Sequence, residues 1–388
     1  GHISGSSVAR MTLEDMQNHV KAAGPIIALV HDRDSIPKEL NTLLSRTLVI
    51  DTYQFAKELI PGKKSYALKA LVPDDRTRSA SLKIKMLAAD MNLVQLLFQI
   101  SLLTGQPCSK ALSKMGRIEW MLSRKFIELS CIPPDKPFDC SADSYKGGHV
   151  LEPRKGLFTN PILYFDFRSL YPSICVENDI CYSEDGRILP PLMRHLIETR
   201  KSLEEEARHS PTVAIRRVCL KLLGNSIYGC LACRYSRFYS IGLAKAITLA
   251  GREALVATAH LIKKEFGYDA IYGDTDSLMI SMPSTFGDQS ALNALAQRIV
   301  DRVNTGYQYM ELQFEGTITE LALFSKKCYA SIKNGVFEVK GLDMIKRGYA
   351  PCGVTVCDWI LAKMFENLTQ NSDPLRSIYA YSSEVAFP

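Results

Sequence analysis

The sequence IYGDTDSLMI, residues 271–280, is the most informative stretch of the chain for its fold. Apolar runs at residues 270–272 and 278–280 flank a polar link, and this pattern predicts a β-hairpin with its turn at the glycine and the aspartates. Residues two apart in a strand point the same way, so Asp274 and Asp276 would present their carboxylates together. Two like charges that close repel each other unless a cation lies between them. Because Asp and Gly are also ordinary turn residues, a functional interpretation needs a further carboxylate.

That further carboxylate is Asp166, which lies in the apolar run PILYFDFRSLY at residues 161–171. The run predicts a strand, and a carboxylate buried at its end is costly without a charge or hydrogen-bond partner. Asp166, Asp274 and Asp276 therefore form a candidate constellation on three adjacent strands of one sheet. Mg²⁺ prefers carboxylate, water and phosphate oxygens, and two such ions about 3.5–4 Å apart can catalyse phosphoryl displacement. We expect two Mg²⁺ ions at this site, with a triphosphate completing the neutralisation of their charge.

Cations suited to a triphosphate lie on two predicted helices. Lys221, Asn225 and Tyr228 are spaced so that they share one helix face. Lys221 and Arg200 could bind triphosphate oxygens, Lys as a point charge and Arg as a bidentate fork. A solvated helix face is the alternative for each of them.

Composition limits the class of protein. The 388 residues, 46% hydrophobic and 23% charged, are typical of a globular protein of two or three domains. A net charge of +6 is compatible with a polyanionic partner without establishing one. The 11 cysteines have no framework spacing, and neither a membrane-spanning run nor a signal peptide is visible, so we expect an intracellular protein without a membrane partner. Residues 1–7 resemble a remnant of an expression tag.

Periodicity gives a coarse order of elements. The run at residues 81–103 predicts one amphipathic core helix, with Ile84, Leu87, Ala88, Met91, Val94 and Phe98 on its apolar face. Residues 133–153 are rich in proline, glycine and polar residues and predict a linker. Further helices are predicted at residues 54–59, 190–207, 213–231, 243–266 and 292–303, and strands at residues 26–31 and 47–51 and across 314–339.

The motifs resemble those of family B DNA polymerases. Residues 166–173, DFRSLYPS, residues 221–229, KLLGNSIYG, and residues 272–277, YGDTDS, are similar to three motifs of that family, in the family's order. The resemblance extends to YKGG at 145–148, KKCY at 326–329 and KGLD at 340–343. Within the family, YSRFY at 235–239 and GRE at 251–253 resemble the polymerase alpha branch.

The resemblance implies an α+β fold: a right-hand polymerase palm with an antiparallel sheet, helical fingers, a truncated thumb and an α/β exonuclease-like N-terminal domain. The implied boundaries are residues 8–140 for the exonuclease-like region, 141–186 and 241–350 for the palm, 187–240 for the fingers and 351–388 for the start of the thumb. It also implies a nuclear, replicative enzyme that extends a DNA or RNA–DNA primer on a DNA template with dNTPs. Its implied protein partners are primase and an accessory B subunit.

The resemblance also implies roles for individual residues. Asp166 and Asp276 would bind both metal ions, with Asp274 beside them and the carbonyl of Phe167 as a further ligand, and Tyr171 would be the steric gate against ribose. It implies nucleotide binding by Phe167, Ser169, Leu170, Tyr171, Arg200, Lys221, Asn225 and Tyr228. It implies DNA binding by Tyr145, Gly147, Gly148, Gly229, Lys326, Lys327, Tyr329, Lys340 and Arg347.

Some positions depart from the family. Glu204 stands where a second base often follows Arg200, so fewer cations are expected on the triphosphate. The N-terminal part lacks the D-x-E motif of an active exonuclease and has Met86 at the family's tyrosine position, which predicts no 3′→5′ exonuclease activity. Three alternatives stay open: a catalytically weak nucleic-acid-binding fragment, a delta- or zeta-like family B polymerase, and a metal-dependent nuclease. A nuclease would need neither a sugar gate nor a triphosphate clamp.

Overall fold

The structure is a computed structural model that describes residues 27–31, 48–60, 68–72, 80–108, 110–111, 113–135, 147–182, 187–283, 286, 288–342, 356–357, 359–361 and 363–365. The chain divides into two compact units, residues 1–124 with 202–220, and residues 125–201 with 221–388. Helices and an antiparallel sheet occur together, in agreement with the predicted α+β class. The finer domain boundaries stay a prediction.

The first unit contains a parallel strand pair and several helices. Strand β1 (Ile27–Val30) pairs in parallel with β2 (Leu48–Asp51). The helices are α1 (Thr52–Leu59), α2 (Leu68–Leu71), α3 (Ala80–Asp90), α4 (Leu93–Thr104) and the start of α5 (Lys114–Glu128). The Asp51 side chain accepts a hydrogen bond from the Tyr53 backbone N–H at 2.9 Å and so caps α1.

The single core helix predicted over residues 81–103 is wrong, because the chain breaks between α3 and α4. Asn92 adopts a left-handed conformation with φ of 49°, which Asn tolerates better than most residues. The break changes the helical phase, so Val94 and Phe98 are 63% and 50% exposed instead of buried. The buried positions of α4 are Leu93, Leu96, Leu97, Gln99, Ile100 and Thr104.

Among the described helices, none alone is long and apolar enough to cross a membrane. The α3 and α4 segments meet that criterion only together, as a pair bent by 47°.

The second unit is built on a seven-stranded sheet. Its strands are β3 (Gly156–Phe158), β4 (Ile162–Phe167), β5 (Ala270–Asp274), β6 (Ser277–Ser281), β7 (Leu312–Ser325), β8 (Cys328–Lys333) and β9 (Val336–Lys340). The order is β5-β6-β4-β7-β8-β9, with β3 also on β7, and every pairing is antiparallel. One core cluster of this sheet consists of Ile162, Ile271, Tyr272, Met279, Ile318, Leu321, Leu323 and Tyr329.

The second unit also contains helices, two of which pack against this sheet. The helices of this unit are α6 (Leu170–Glu177), α7 (Leu189–Ser202), the C-terminal part of α9 (Pro211–Ala232), α10 (Ile241–Phe266) and α11 (Gln289–Asn304). The predicted helix at 190–207 is shorter than expected, because α7 ends at Ser202 and a separate turn of helix, α8 (Glu206–His209), follows. Pro211 starts α9, a position where the missing N–H of proline costs nothing.

The segment that joins α11 to β7 is bound to the end of α6. The Glu177 carboxylate accepts hydrogen bonds from the backbone N–H groups of residues 308–310 at 2.6 to 3.2 Å. Next to this contact, the Arg168 backbone N–H donates to the Glu311 carbonyl at 2.8 Å. Two attachments therefore fix the start of β7 to the segment that follows β4.

We predict that Glu177→Ala lowers the melting temperature by at least about 3 °C. Hydrogen bonds to a charged acceptor contribute about 1.5–3 kcal/mol, and about 1 kcal/mol shifts the midpoint by 2–4 °C in a folded unit of the size of the second one. Calorimetry or circular dichroism melting measures the shift. Glu253→Ala, an exposed glutamate on α10, is the control and should change the midpoint by less than about 1 °C. Equal melting of Glu177→Ala and the parent would contradict the role given to this carboxylate.

Candidate active site

The sheet brings Asp166 next to the turn of the β5–β6 hairpin. In the antiparallel register Asp166 lies opposite Ser277 of β6, and Asp274 at the end of β5 also pairs with Ser277. Asp276 lies in the turn itself, and its carbonyl accepts a hydrogen bond from the Phe167 N–H at 2.8 Å. The hairpin tip and the end of β4 are therefore held together by their main chains. The turn is tighter than predicted and consists of residues 275–276 alone.

Asp166 and Asp276 are partly buried and act on each other electrostatically. Burial, the charge of Asp276 and the charge of Glu315 raise the pKa of Asp166 to about 7, against the opposing charges of Lys340 and Lys221. Burial and the charge of Asp274 raise the pKa of Asp276. Both shifts arise first from burial, which disfavours a charged carboxylate, and then from neighbouring carboxylates. Such an oxygen donor set fits a hard divalent cation.

Asp274 has a different partner from the other two carboxylates. The Lys327 Nζ lies 2.5 Å from the Asp274 Oδ1, and the Thr275 hydroxyl lies 3.2 Å from the same oxygen. The Lys327 backbone N–H donates to the Tyr272 hydroxyl at 2.7 Å, which fixes the start of this lysine. In the ranges that the structure describes, no group of three or more His, Cys, Asp or Glu side chains is placed to hold a metal ion. Asp274 is thus held by an ammonium group, whereas Asp276 acts on Asp166; the shared role of the three carboxylates stays a prediction.

The predicted sugar gate lies at the start of α6. Ser169 precedes the helix in a left-handed conformation with φ of 50°, and its hydroxyl accepts a hydrogen bond from the Arg200 Nη1 at 2.8 Å. The Tyr171 and Tyr228 rings lie 4.6 Å apart between centroids. This contact places the start of α6 beside the Tyr228 face of α9.

The other predicted nucleotide-binding residues divide between exposed and buried positions. Lys221 and Asn225 are exposed on α9, and Lys221 is close enough to lower the pKa of Asp166. Phe167 and Leu170 are buried, 2% and 4% exposed, so only their main chains can face a ligand. Glu204, at the position where a second base was expected, pairs with Arg217 at 2.7 Å.

The predicted DNA-binding residues that the structure describes lie in the segment before β3, on α9, in the β7–β8 turn and its vicinity, and at the end of β9. Thr275 donates its N–H to the His149 carbonyl at 2.8 Å, so the segment after Gly148 runs along the hairpin. Lys326 pairs with Glu152, and Lys340 lies 5.5 Å from the Tyr329 ring centroid. Gly147 and Gly229 are exposed. Tyr145 and Arg347 lie outside the described residues.

Tyr329 differs from the prediction that its side chain grips DNA. It is 5% exposed and belongs to the sheet core, with its ring 6.1 Å from the Tyr272 ring. Burial raises the pKa of its hydroxyl. The ring packs in the sheet core beside the site, and the predicted contact of Tyr329 with DNA stays a prediction.

Sequence reasoning missed Glu315 and Glu311. Glu315 on β7 acts on Asp166, and Glu311 lies 3.9 Å from Arg168 and 3.4 Å from Lys201. The alternation LQFE at residues 312–315 was the available signal. It could not be used, because the register that sets β7 against β4 contains an irregularity between Tyr164 and Phe165.

We predict that Asp166→Asn stabilises the metal-free protein at alkaline pH. A raised pKa means that the folded state holds this proton more tightly than the unfolded chain, so the stabilisation is complete below pH about 4 and is lost as the pH rises through about 7. Asparagine stays neutral throughout. In EDTA at pH 8.5 the variant should therefore melt at least about 2 °C above the parent, and the difference should shrink at pH 5.

The exposed Asp179, just after α6, provides the matched control Asp179→Asn. Its melting difference from the parent should be the same at both pH values. If Asp166→Asn gives no larger gain at pH 8.5 than at pH 5, the electrostatic description of the pair is wrong.

Comparison with known proteins gives the family. The sequence profile described as DNA polymerase family B matches residues 107–184 and 183–386. The chain is 37% identical over 249 residues to the DNA polymerase alpha catalytic subunit of Arabidopsis thaliana, covering 57% of this chain and 16% of that protein. It is 31% identical over 363 residues to the protein of the same name in Trypanosoma brucei brucei (77% and 27%). For the protein of the same name in Drosophila melanogaster the identity is 34% over 329 residues (70% and 22%).

The chain thus spans 16 to 27% of the length of these relatives. Within that span the matching profile covers more than half of the chain, including both halves of the sheet and all three predicted carboxylates. The chain belongs to DNA polymerase family B.

Proposed function

We propose that this chain catalyses template-directed DNA synthesis, adding nucleotides from dNTPs to the 3′ end of a primer. The observation that supports the proposal is the pair Asp166 and Asp276, two partly buried carboxylates whose pKa values are raised by burial and by neighbouring carboxylates. Family membership supports the same reaction.

The donor set fits Mg²⁺, which the reaction would need. Asp166, Asp276 and the Phe167 carbonyl are the residues that would hold two such ions. When bound, the ions supply positive charge that stabilises the negative charge developing on the phosphate oxygens. The chain's own contribution is to fix the two carboxylates through the Phe167 to Asp276 main-chain bond.

Cationic side chains bind the triphosphate in this proposal. Arg200 is positioned by its hydrogen bond to the Ser169 hydroxyl, and Lys221 is exposed on α9 within electrostatic reach of Asp166. Arg200 and Lys221 would attract the phosphate oxygens without contacting a base, so this binding accepts all four dNTPs. Asn225 and Tyr228 line the adjacent face, where the new base pair would lie.

The primer and template are bound by main chain and lysines. Lys326, Lys327 and Lys340 surround the carboxylate end of the sheet, and contacts of this kind to phosphates fix position without reading sequence. The Lys327 ammonium group pairs with the Asp274 carboxylate. Gly147 and Gly148 allow the template strand to approach the backbone closely.

The finer assignment rests on the relatives' names and on the motif resemblance. We place the chain in a polymerase alpha-like replicative enzyme of the nucleus, which works with primase and an accessory B subunit. This enzyme does not proofread. The absence of a D-x-E motif before Asp90 supports the last point.

The direct test is primer extension with Mg²⁺ and dNTPs on a primed DNA template. Asp276→Asn should reduce the rate by about 10³-fold or more, because a carboxylate that holds the catalytic ions contributes several kcal/mol. The control Asp179→Asn should leave it unchanged. Without dNTPs the primer should not shorten. Extension at the parental rate by Asp276→Asn, or Mg²⁺-dependent primer trimming, would contradict the proposal.

Sugar selection gives a second prediction. Tyr171→Ala should raise the relative use of rNTPs by about tenfold or more, because removal of the ring opens the space that a ribose 2′ hydroxyl needs. Single-nucleotide kcat/KM values for dNTP and rNTP measure the ratio. Tyr235→Ala, which removes an exposed tyrosine, should not alter it. An unchanged ratio in Tyr171→Ala would count against the gate.

A further inference from the structure

Two glycines from separate parts of the second unit lie beside the Tyr171 side chain. On one side is Gly148, in the segment that runs along the β5–β6 hairpin, and on another is Gly251 of α10. The Tyr228 ring lies 4.6 Å away between centroids. The position of the ring is therefore set by groups far from it in sequence.

Gly148 is the tightest of these contacts. A Cβ added to it would lie 3.0 Å from the Tyr171 hydroxyl oxygen and 2.8 Å from both Cγ2 and Oγ1 of Thr275. At Gly251 an added Cβ would lie 3.4 Å from the Tyr171 Cε1, an ordinary van der Waals distance. A methyl group at Gly148 is therefore accommodated only if the Thr275 side chain shifts and the Tyr171 hydroxyl gives way by a few tenths of an ångström.

The backbone that follows Gly148 is held by hydrogen bonds, which oppose its movement away from an added methyl group. The Thr275 N–H donates to the His149 carbonyl at 2.8 Å, and the Leu151 N–H donates to the Gly273 carbonyl at 2.9 Å. Val150 forms a bridge to Asp274. Strain from a side chain at Gly148 would therefore pass to the Tyr171 and Thr275 side chains.

The neighbouring glycine differs. A Cβ added to Gly147 would have no atom within 4 Å. Both glycines can let a template strand approach the backbone closely. Of the two, only Gly148 also lies beside Tyr171.

We propose that Gly148 is a positioning residue that sets sugar selectivity, by leaving room for the Tyr171 ring at the place where it would meet the 2′ position of the incoming nucleotide. This inference rests on the proposed polymerase function. It links the segment assigned to the template strand with the choice between deoxyribose and ribose. Thr275, the other side chain that an added Cβ would meet, lies between Asp274 and Asp276. A shift of Thr275 would change the rates with dNTP and rNTP alike.

The test is single-nucleotide kinetics of Gly148→Ala with a dNTP and the matching rNTP. We expect the ratio of kcat/KM values to change by about fivefold or more, equivalent to about 1 kcal/mol, with rNTP use rising because the displaced ring no longer occupies its place. A loss of kcat shared by both nucleotides is expected in addition, through Thr275. Gly147→Ala should leave the ratio within about twofold of the parent, whatever it does to DNA binding.

A double-mutant cycle tests whether the effect passes through Tyr171. Tyr171→Phe removes the oxygen that the new methyl group would meet and keeps the ring. In that background Gly148→Ala should change the ratio by less than about twofold. A change below about fivefold in the Tyr171 parent, or an equal change in both backgrounds, overturns the inference.

The outcome also separates this inference from the proposed function. Failure of the parent protein to extend a primer would refute the proposed function itself. Extension by the parent with an unchanged ratio in Gly148→Ala would refute only the role of Gly148. Gly242→Ala on α10, where an added Cβ has no atom within 4 Å, is the folding control and should match the parent in both activity and ratio.

Discussion

The repulsion between Asp166 and Asp276 is the constraint on which the site depends. A partly buried position beside another carboxylate is electrostatically unfavourable for each ionised group. The fold imposes the burial that raises both pKa values. The main-chain hydrogen bond from Phe167 to Asp276 prevents the two from separating. The fold thus holds a charge arrangement that is unfavourable alone and that a divalent cation would make favourable.

The surrounding cations reduce this repulsion without removing it. Lys340 on β9 acts on both carboxylates, Lys221 acts on Asp166, and Lys327 takes Asp274 as its partner. These lysines come from different elements: Lys340 ends β9, Lys327 lies in the β7–β8 turn and Lys221 lies on α9. Lysines beside an acidic centre suit a polyanionic substrate, because a phosphate can replace a carboxylate as their partner.

A second set of constraints fixes the first turn of α6. Glu177 at its end binds the backbone before β7, Arg200 binds Ser169 just before its start, and Gly148 and Gly251 border Tyr171. The helix is therefore held at both ends and along one side. A helix held in this way keeps the Tyr171 ring in one place.

Local periodicity and short motifs were enough to predict the hairpin, the strand bearing Asp166 and the family. Helical periodicity also placed Lys221, Asn225 and Tyr228 on one face. It did not predict the break at Asn92, since a left-handed Asn leaves the apolar pattern almost unchanged while it rotates the helix that follows. The Lys327 to Asp274 pair, the burial of Tyr329 and the approach of Glu315 to Asp166 were decided by tertiary structure alone. Each of them depends on the register between strands far apart in sequence, and a shift of one residue would turn each side chain to the other face of the sheet.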